Sequence, residues 1–136
     1  MKFTPKHAED VLKNGFEKAT ELLKDTEKVE SFLQSVEEVL ASIPFVGEDL
    51  KNVPLMISLI RSYITKEYTE VPTKSLVAII SASIYFVTPA DVIPDVIPLI
   101  GYIDDGLVFA TCYRWVKKDL EEYSKWREEQ QKLIEE

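Results

Sequence analysis

Apolar residues recur every three to four positions along most of this chain, the period of an amphipathic helix, and no sustained alternation marks a strand. The first segment follows Thr4-Pro5, where Thr can cap and Pro fits a first helical turn; Val11, Leu12, Phe16, Ala19, Leu22 and Leu23 share one face. The second follows Asp25 or Thr26, carries Val29, Phe32, Leu33, Val36, Val39, Leu40 and Ile43, and stops at Pro44. A third starts around Pro54 and runs to about Tyr68, with Met56, Leu59, Ile60, Tyr63 and Ile64 turned inward. The fourth, Lys74 to about Val87, is apolar nearly all round, which marks it as the most enclosed element. Prolines at 89, 94 and 98 and a glycine at 101 then exclude a continuous helix. A fifth helix begins near Asp104 or Asp105 and can run to the C-terminus. The pattern predicts an all-α fold: one compact domain, residues 1–136, a bundle of about five helices around the central helix Leu76–Val87.

Composition narrows the function classes. At 136 residues the chain suits a single core, and 46% hydrophobic with 29% charged residues is ordinary for a globular domain. A net charge of −8 argues against nucleic acid, which needs clustered cations, and disfavours passive adsorption to anionic lipid. It would attract a basic partner. A single cysteine, Cys112, forms no internal disulfide, and the first residues contain no apolar run resembling a secretory signal. The expected location is cytoplasmic, with membrane association as the alternative. Ser75–Ala90 offers 16 uncharged positions, short of the roughly 20 of a spanning helix, and extension to Ile103 would bury Asp91 and Asp95.

Charge is unevenly spread. Residues 71–116 hold six charged side chains (Lys74, Asp91, Asp95, Asp104, Asp105 and Arg114), and four of these are aspartates in apolar surroundings. One reading makes them braces: Asp104 or Asp105 caps the fifth helix, Asp91 and Asp95 fix turns, and Arg114 pairs with one of them. The other makes Asp91, Asp95, Asp104 and Asp105 a site for Mg²⁺ or Ca²⁺, which take several carboxylate oxygens. Their spacing matches no EF-hand loop, so the expected cofactor is none, with a divalent cation as the alternative.

Other candidate chemistry is sparse. His7 stands near the N-terminus as a solvated helix residue, Cys112 reads as a small core filler, and Ser81 and Ser83 lack a nucleophile elbow. The four glycines build no phosphate loop. In the tail from Lys117, Leu120, Tyr123, Trp126, Leu133 and Ile134 either touch the first two helices or belong to a projecting helix that pairs with another copy or a partner.

Tyr85, Pro89, Asp91, Ile93-Pro94-Asp95, Pro98, Gly101 and Asp104-Asp105 spell Y-x3-P-x-D-x-I-P-D-x2-P-x2-G-x2-D-D. This signature, at 85–105 within a family-like segment of about 54–116, resembles that of the YkvA-like family, small bacterial proteins of unknown function. The resemblance implies membrane association for some members and brings no activity or catalytic residue. Residues 1–50 and 120–136 lie outside it. The resulting expectation is a non-enzymatic helical module that binds a protein or self-associates, at the membrane periphery in one version. Two alternatives stay open: a metal-binding domain or metal-dependent enzyme using the aspartates, and an acidic inhibitor or immunity-type protein.

Overall fold

The computed structural model describes residues 5–43, 48–87 and 105–135. These form α1 (Pro5–Asn14), α2 (Phe16–Leu23), α3 (Thr26–Ser42), a 3₁₀ turn at Glu48–Leu50, α4 (Val53–Ile64), α5 (Thr73–Val87) and α6 (Asp105–Glu135). Among the described residues there is no strand, and the fold is all-α. The expected first helix is two, α1 and α2, joined at Gly15.

Local chemistry accounts for the boundaries. Asp25 lies in extended backbone before α3, and its carboxylate accepts from the Glu27 and Lys28 amides at 3.1 and 3.2 Å. That satisfies two amides without helical partners at the positive end of the dipole. Pro54 occupies the first turn of α4, where its missing N–H costs nothing. The sequence suggested that this helix reaches Tyr68, but it ends at Ile64. Lys66 takes φ 66°, a left-handed turn, and the amides of Glu67 and Tyr68 both reach back to the Ser62 carbonyl. The reversal sends Tyr68 into the interior rather than onward along the helix.

Helix α5 is the centre. Eleven of its 15 residues are buried, in unbroken sequence from Ser75 to Ser83 and again at Tyr85 and Phe86. It packs against α1, α2, α3 and α6, while α4 sits between α3 and α6. Phe86 meets Phe109 edge-on at 5.4 Å, closing α5 onto α6. α6 is packed over about its first two thirds: Val108, Phe109, Cys112, Val116, Leu120 and Tyr123 are buried, and everything from Arg127 to Ile134 is exposed.

The α1–α2 break is where the chain comes closest to α5. Gly15 keeps helical angles (φ −88°, ψ −7°), and its amide is shared between the Val11 and Leu12 carbonyls at 3.2 and 3.1 Å. The Leu12 carbonyl also accepts the buried Ser81 hydroxyl at 2.7 Å. A Cβ at position 15 would fall inside van der Waals contact of Ser81 Oγ and 3.2 Å from Tyr85. Glycine here is a matter of space rather than backbone freedom.

Gly15→Ala therefore sets a helix-propensity gain of up to about 1 kcal/mol against about 1–3 kcal/mol of overpacking and a displaced buried hydrogen bond. We expect a net loss of about 1–3 kcal/mol in urea denaturation. In a Ser81→Ala background the same change should cost less than about 0.5 kcal/mol, since the colliding oxygen is gone.

Candidate functional site

Of the four aspartates suggested by the sequence, Asp91, Asp95 and Asp104 lie outside the described residues, and Asp105 is the first residue of α6. Among the described residues no group of three or more His, Cys, Asp or Glu side chains is placed to hold a metal ion. Ser81 donates to the Leu12 carbonyl and Ser83 to that of Ile79, so both hydroxyls are committed to backbone. Cys112 is fully buried, and burial pushes its thiol up to about 12. It has none of the cationic, open surroundings of a reactive thiolate. His7 is half-buried on α1.

The polar constructions that the structure does assemble lie on the α3–α4–α6 side. Ser58 and Ser62, one turn apart on α4, both place Oγ 2.6 Å from the Tyr123 hydroxyl, and that hydroxyl lies 3.0 Å from the Ser58 carbonyl. One consistent proton arrangement has Tyr123 donate to the carbonyl and accept from both serines. The Tyr123 ring continues into an aromatic group, with Tyr68 at 5.1 Å and Trp126 at 5.8 Å, and Tyr68 to Trp126 at 5.0 Å. Arg127 lies 5.9 Å over the same ring. Burial first, then the carboxylates of Glu122, Glu70 and Asp119, raise the Tyr68 hydroxyl above the ordinary phenol range. Tyr123 and Trp126 thus meet α4 and Tyr68, rather than the first two helices as the tail's pattern suggested.

A second construction ties α3 to α4. Glu30 and Glu37 are two turns apart on α3 and take Arg61 between them. Its Nε lies 3.1 Å from both Glu30 oxygens, and Nη1 and Nη2 reach Glu37 at 2.7 and 2.6 Å. The Arg61 hydrogen bonds hold the Glu37 carboxyl below the usual range, and the two carboxylates hold Arg61 charged. Arg61 keeps about a third of its side chain exposed, so the pairing orients more than it stabilises. Between these constructions run two open grooves of about 590 and 550 Å³, which share Ser58, Ser62 and Glu67.

Two further features frame α5. The Ser75 hydroxyl donates a short hydrogen bond to Asp119, bracing the start of α5 on α6. Beside it Phe16 and Trp115 meet edge-on at 6.3 Å and line a third groove of about 600 Å³. None of these clusters has the parts of a catalytic site. Ser58 and Ser62 are bonded to the Tyr123 hydroxyl rather than to a histidine or carboxylate, and Ser75 is buried behind its carboxylate partner.

Comparison with known proteins bears on the α5–α6 pair. A family described as "Protein of unknown function (DUF1232)" matches residues 75–111. The uncharacterized membrane protein YkvA of Bacillus subtilis (strain 168) is 33% identical over 78 residues, which cover 57% of this chain and 74% of that protein. The chain belongs to the YkvA-like family. No solved structure matches it.

The residues matched to DUF1232 hold the buried helix α5 and the start of α6, so the family-defining span contains much of the core. The YkvA relative is called a membrane protein, yet among the described residues no helix is long and apolar enough to cross a membrane. α5, at 15 residues, would extend about 22 Å against a hydrocarbon core of about 30 Å.

Neither the hydroxyl cluster nor the carboxylate–guanidinium pairing was foreseen. The signals were there as spacings, Ser58 and Ser62 four apart and Glu30 and Glu37 seven apart. Spacing names a shared face without naming the residue opposite.

Tyr123→Phe removes one phenol that serves three partners. Their half-buried position beside the grooves lets water replace part of the loss, so we expect about 1–2 kcal/mol from urea denaturation, without loss of helix content by circular dichroism. Cys112 provides a pH test. Its thiol is raised in the folded state, so it contributes nothing pH-dependent below the unfolded pKa near ~8.5, and stability falls as pH rises from there toward about 12. The wild type should lose stability relative to Cys112→Ala between about pH 9 and pH 11, by at most about 1.4 kcal/mol per unit. Comparing urea midpoints of the two proteins across that range checks it.

Proposed function

We propose that this chain is a non-enzymatic helical module that binds a protein partner through the exposed Leu133–Ile134 stretch of α6 and works at the periphery of a membrane. The carrying observation is the geometry of α6. It continues for two turns beyond its last packed side chain, and Leu133 and Ile134 on those turns are 65% and 78% exposed. Two adjacent large apolar side chains so exposed on a helix suit a helix-in-groove or helix-pairing contact. Ile134 also lines the groove that begins at Ser58 and Tyr123, which extends the surface back to α4. The saturated serine hydroxyls and the inert thiol favour binding over catalysis. The membrane periphery is supported by the family relative that is called a membrane protein, together with the shortness of α5.

A photo-crosslinking side chain at position 133 or 134, in the full chain expressed in its own cell type, tests the reading. We expect a discrete cross-linked species, at twice the chain mass for self-pairing or at another mass for a different partner. Leu133→Glu with Ile134→Glu should abolish it while changing stability by less than about 0.5 kcal/mol. Absence of any discrete species at either position would overturn the α6-end reading. In fractionation of the same cells, the chain should be released from membranes by salt or carbonate, and a demand for detergent would refute a peripheral location.

A further inference from the structure

The chain as a whole is acidic, but two stretches that meet at one groove carry cations alone, and the third wall of that groove, Phe16 and Thr20 of α2, brings the exposed Glu17. Across Thr73–Val87 and Gly106–Lys118, the charged side chains are Lys74, Arg114, Lys117 and Lys118, all cations in a protein of net charge −8. Among them stands Trp115, 40% exposed, one of three large hydrophobic side chains so open in the described residues. It lines the groove of about 600 Å³ with Phe16, Val77, Ala78 and Val116, and Lys74 is the charged residue on that lining. Lys118 follows Trp115 by one turn on the same face of α6, and both Lys74 and Lys118 are exposed, whereas Arg114 lines a separate groove with Glu48 and Lys51. Asp119, the carboxylate closest along α6, accepts the Ser75 hydroxyl, and exposed carboxylates resume at Glu121 and Glu122.

We propose that this groove and its rim are a docking surface for an anionic lipid bilayer. The indole of Trp115 enters the boundary between headgroups and acyl chains, with Phe16 beside it, and Lys74 and Lys118 meet the lipid phosphates. A Trp ring combines an apolar body with one N–H donor, which suits that boundary, and lysine stems reach along an apolar surface while the ammonium stays among headgroups. Net charge does not forbid the contact. Screening confines electrostatics to about 8–10 Å at ordinary salt, so the bilayer responds to the face it meets. Each cation near an anionic surface contributes roughly fivefold in partitioning. The inference rests on the peripheral-membrane part of the proposed function and is independent of the α6 end.

Trp115 supplies its own reporter. In full-length Trp126→Phe, Trp115 is the remaining tryptophan, and its emission can be followed as vesicles are added. With phosphatidylcholine–phosphatidylglycerol vesicles we expect a blue shift and co-sedimentation, both reversed by salt. Pure phosphatidylcholine vesicles and inorganic phosphate alone should produce neither. Adding Lys74→Glu and Lys118→Glu, at exposed positions where folding is undisturbed, should weaken partitioning roughly 25-fold or more. No shift with anionic vesicles, or a shift insensitive to the two reversals, would overturn the proposal. A chain that fractionates with cell membranes but ignores protein-free vesicles would overturn lipid docking in favour of an acidic membrane protein, leaving the peripheral reading intact. A chain that does neither would sink both.

Discussion

Helix α5 has no polar face to offer to water, and the rest of the molecule is arranged around that constraint. A helix apolar on every side cannot rest on one neighbour, because the opposite stripe would remain solvated. Four helices, α1, α2, α3 and α6, therefore enclose it. Its three buried serines fit because each hydroxyl has a partner: Ser75 bonds Asp119, Ser81 the Leu12 carbonyl and Ser83 the Ile79 carbonyl. Two of these bonds cross to other helices and fix where along α5 those helices sit. Gly15 lets α1 and α2 approach at the point where Ser81 needs its acceptor.

Enclosure of α5 leaves the described polar constructions to the margins. Among the described residues the buried serine hydroxyls of α5 are all bonded, and the polar constructions outside the core join α4 to its neighbours. Arg61 links α4 to α3, and Tyr123 links it to α6. α4 thereby becomes a rigid wall between two open grooves, while α6 runs past the bundle with Leu133 and Ile134 exposed.

Net charge is a property of the whole chain and not of any one of its surfaces. A net charge of −8 argued against contact with anionic lipid, yet the stretch around Trp115 carries cations. The total sums both faces of a folded object, whereas a partner meets one of them within a Debye length.

How much of this was legible beforehand follows from the range of the forces involved. Period and punctuation alone specified an all-helical chain, the central position of Leu76–Val87, the stop before Pro44 and helix starts at Asp25 or Thr26 and around Pro54, because each depends on residues within one or two turns. The signature at 85–105 pointed to the family, although Asp91, Asp95 and Asp104 lie outside the described residues and their roles as braces or ligands stay with the sequence reading. Tertiary structure alone decided the break at Gly15, which exists because Ser81 lies 66 positions away in sequence and almost touching in space. It also brought Tyr123 to Ser58 and Ser62, and Phe16 to Trp115. No periodicity encodes such pairs: amphipathic spacing says which face of a helix turns inward, and packing decides what that face will meet.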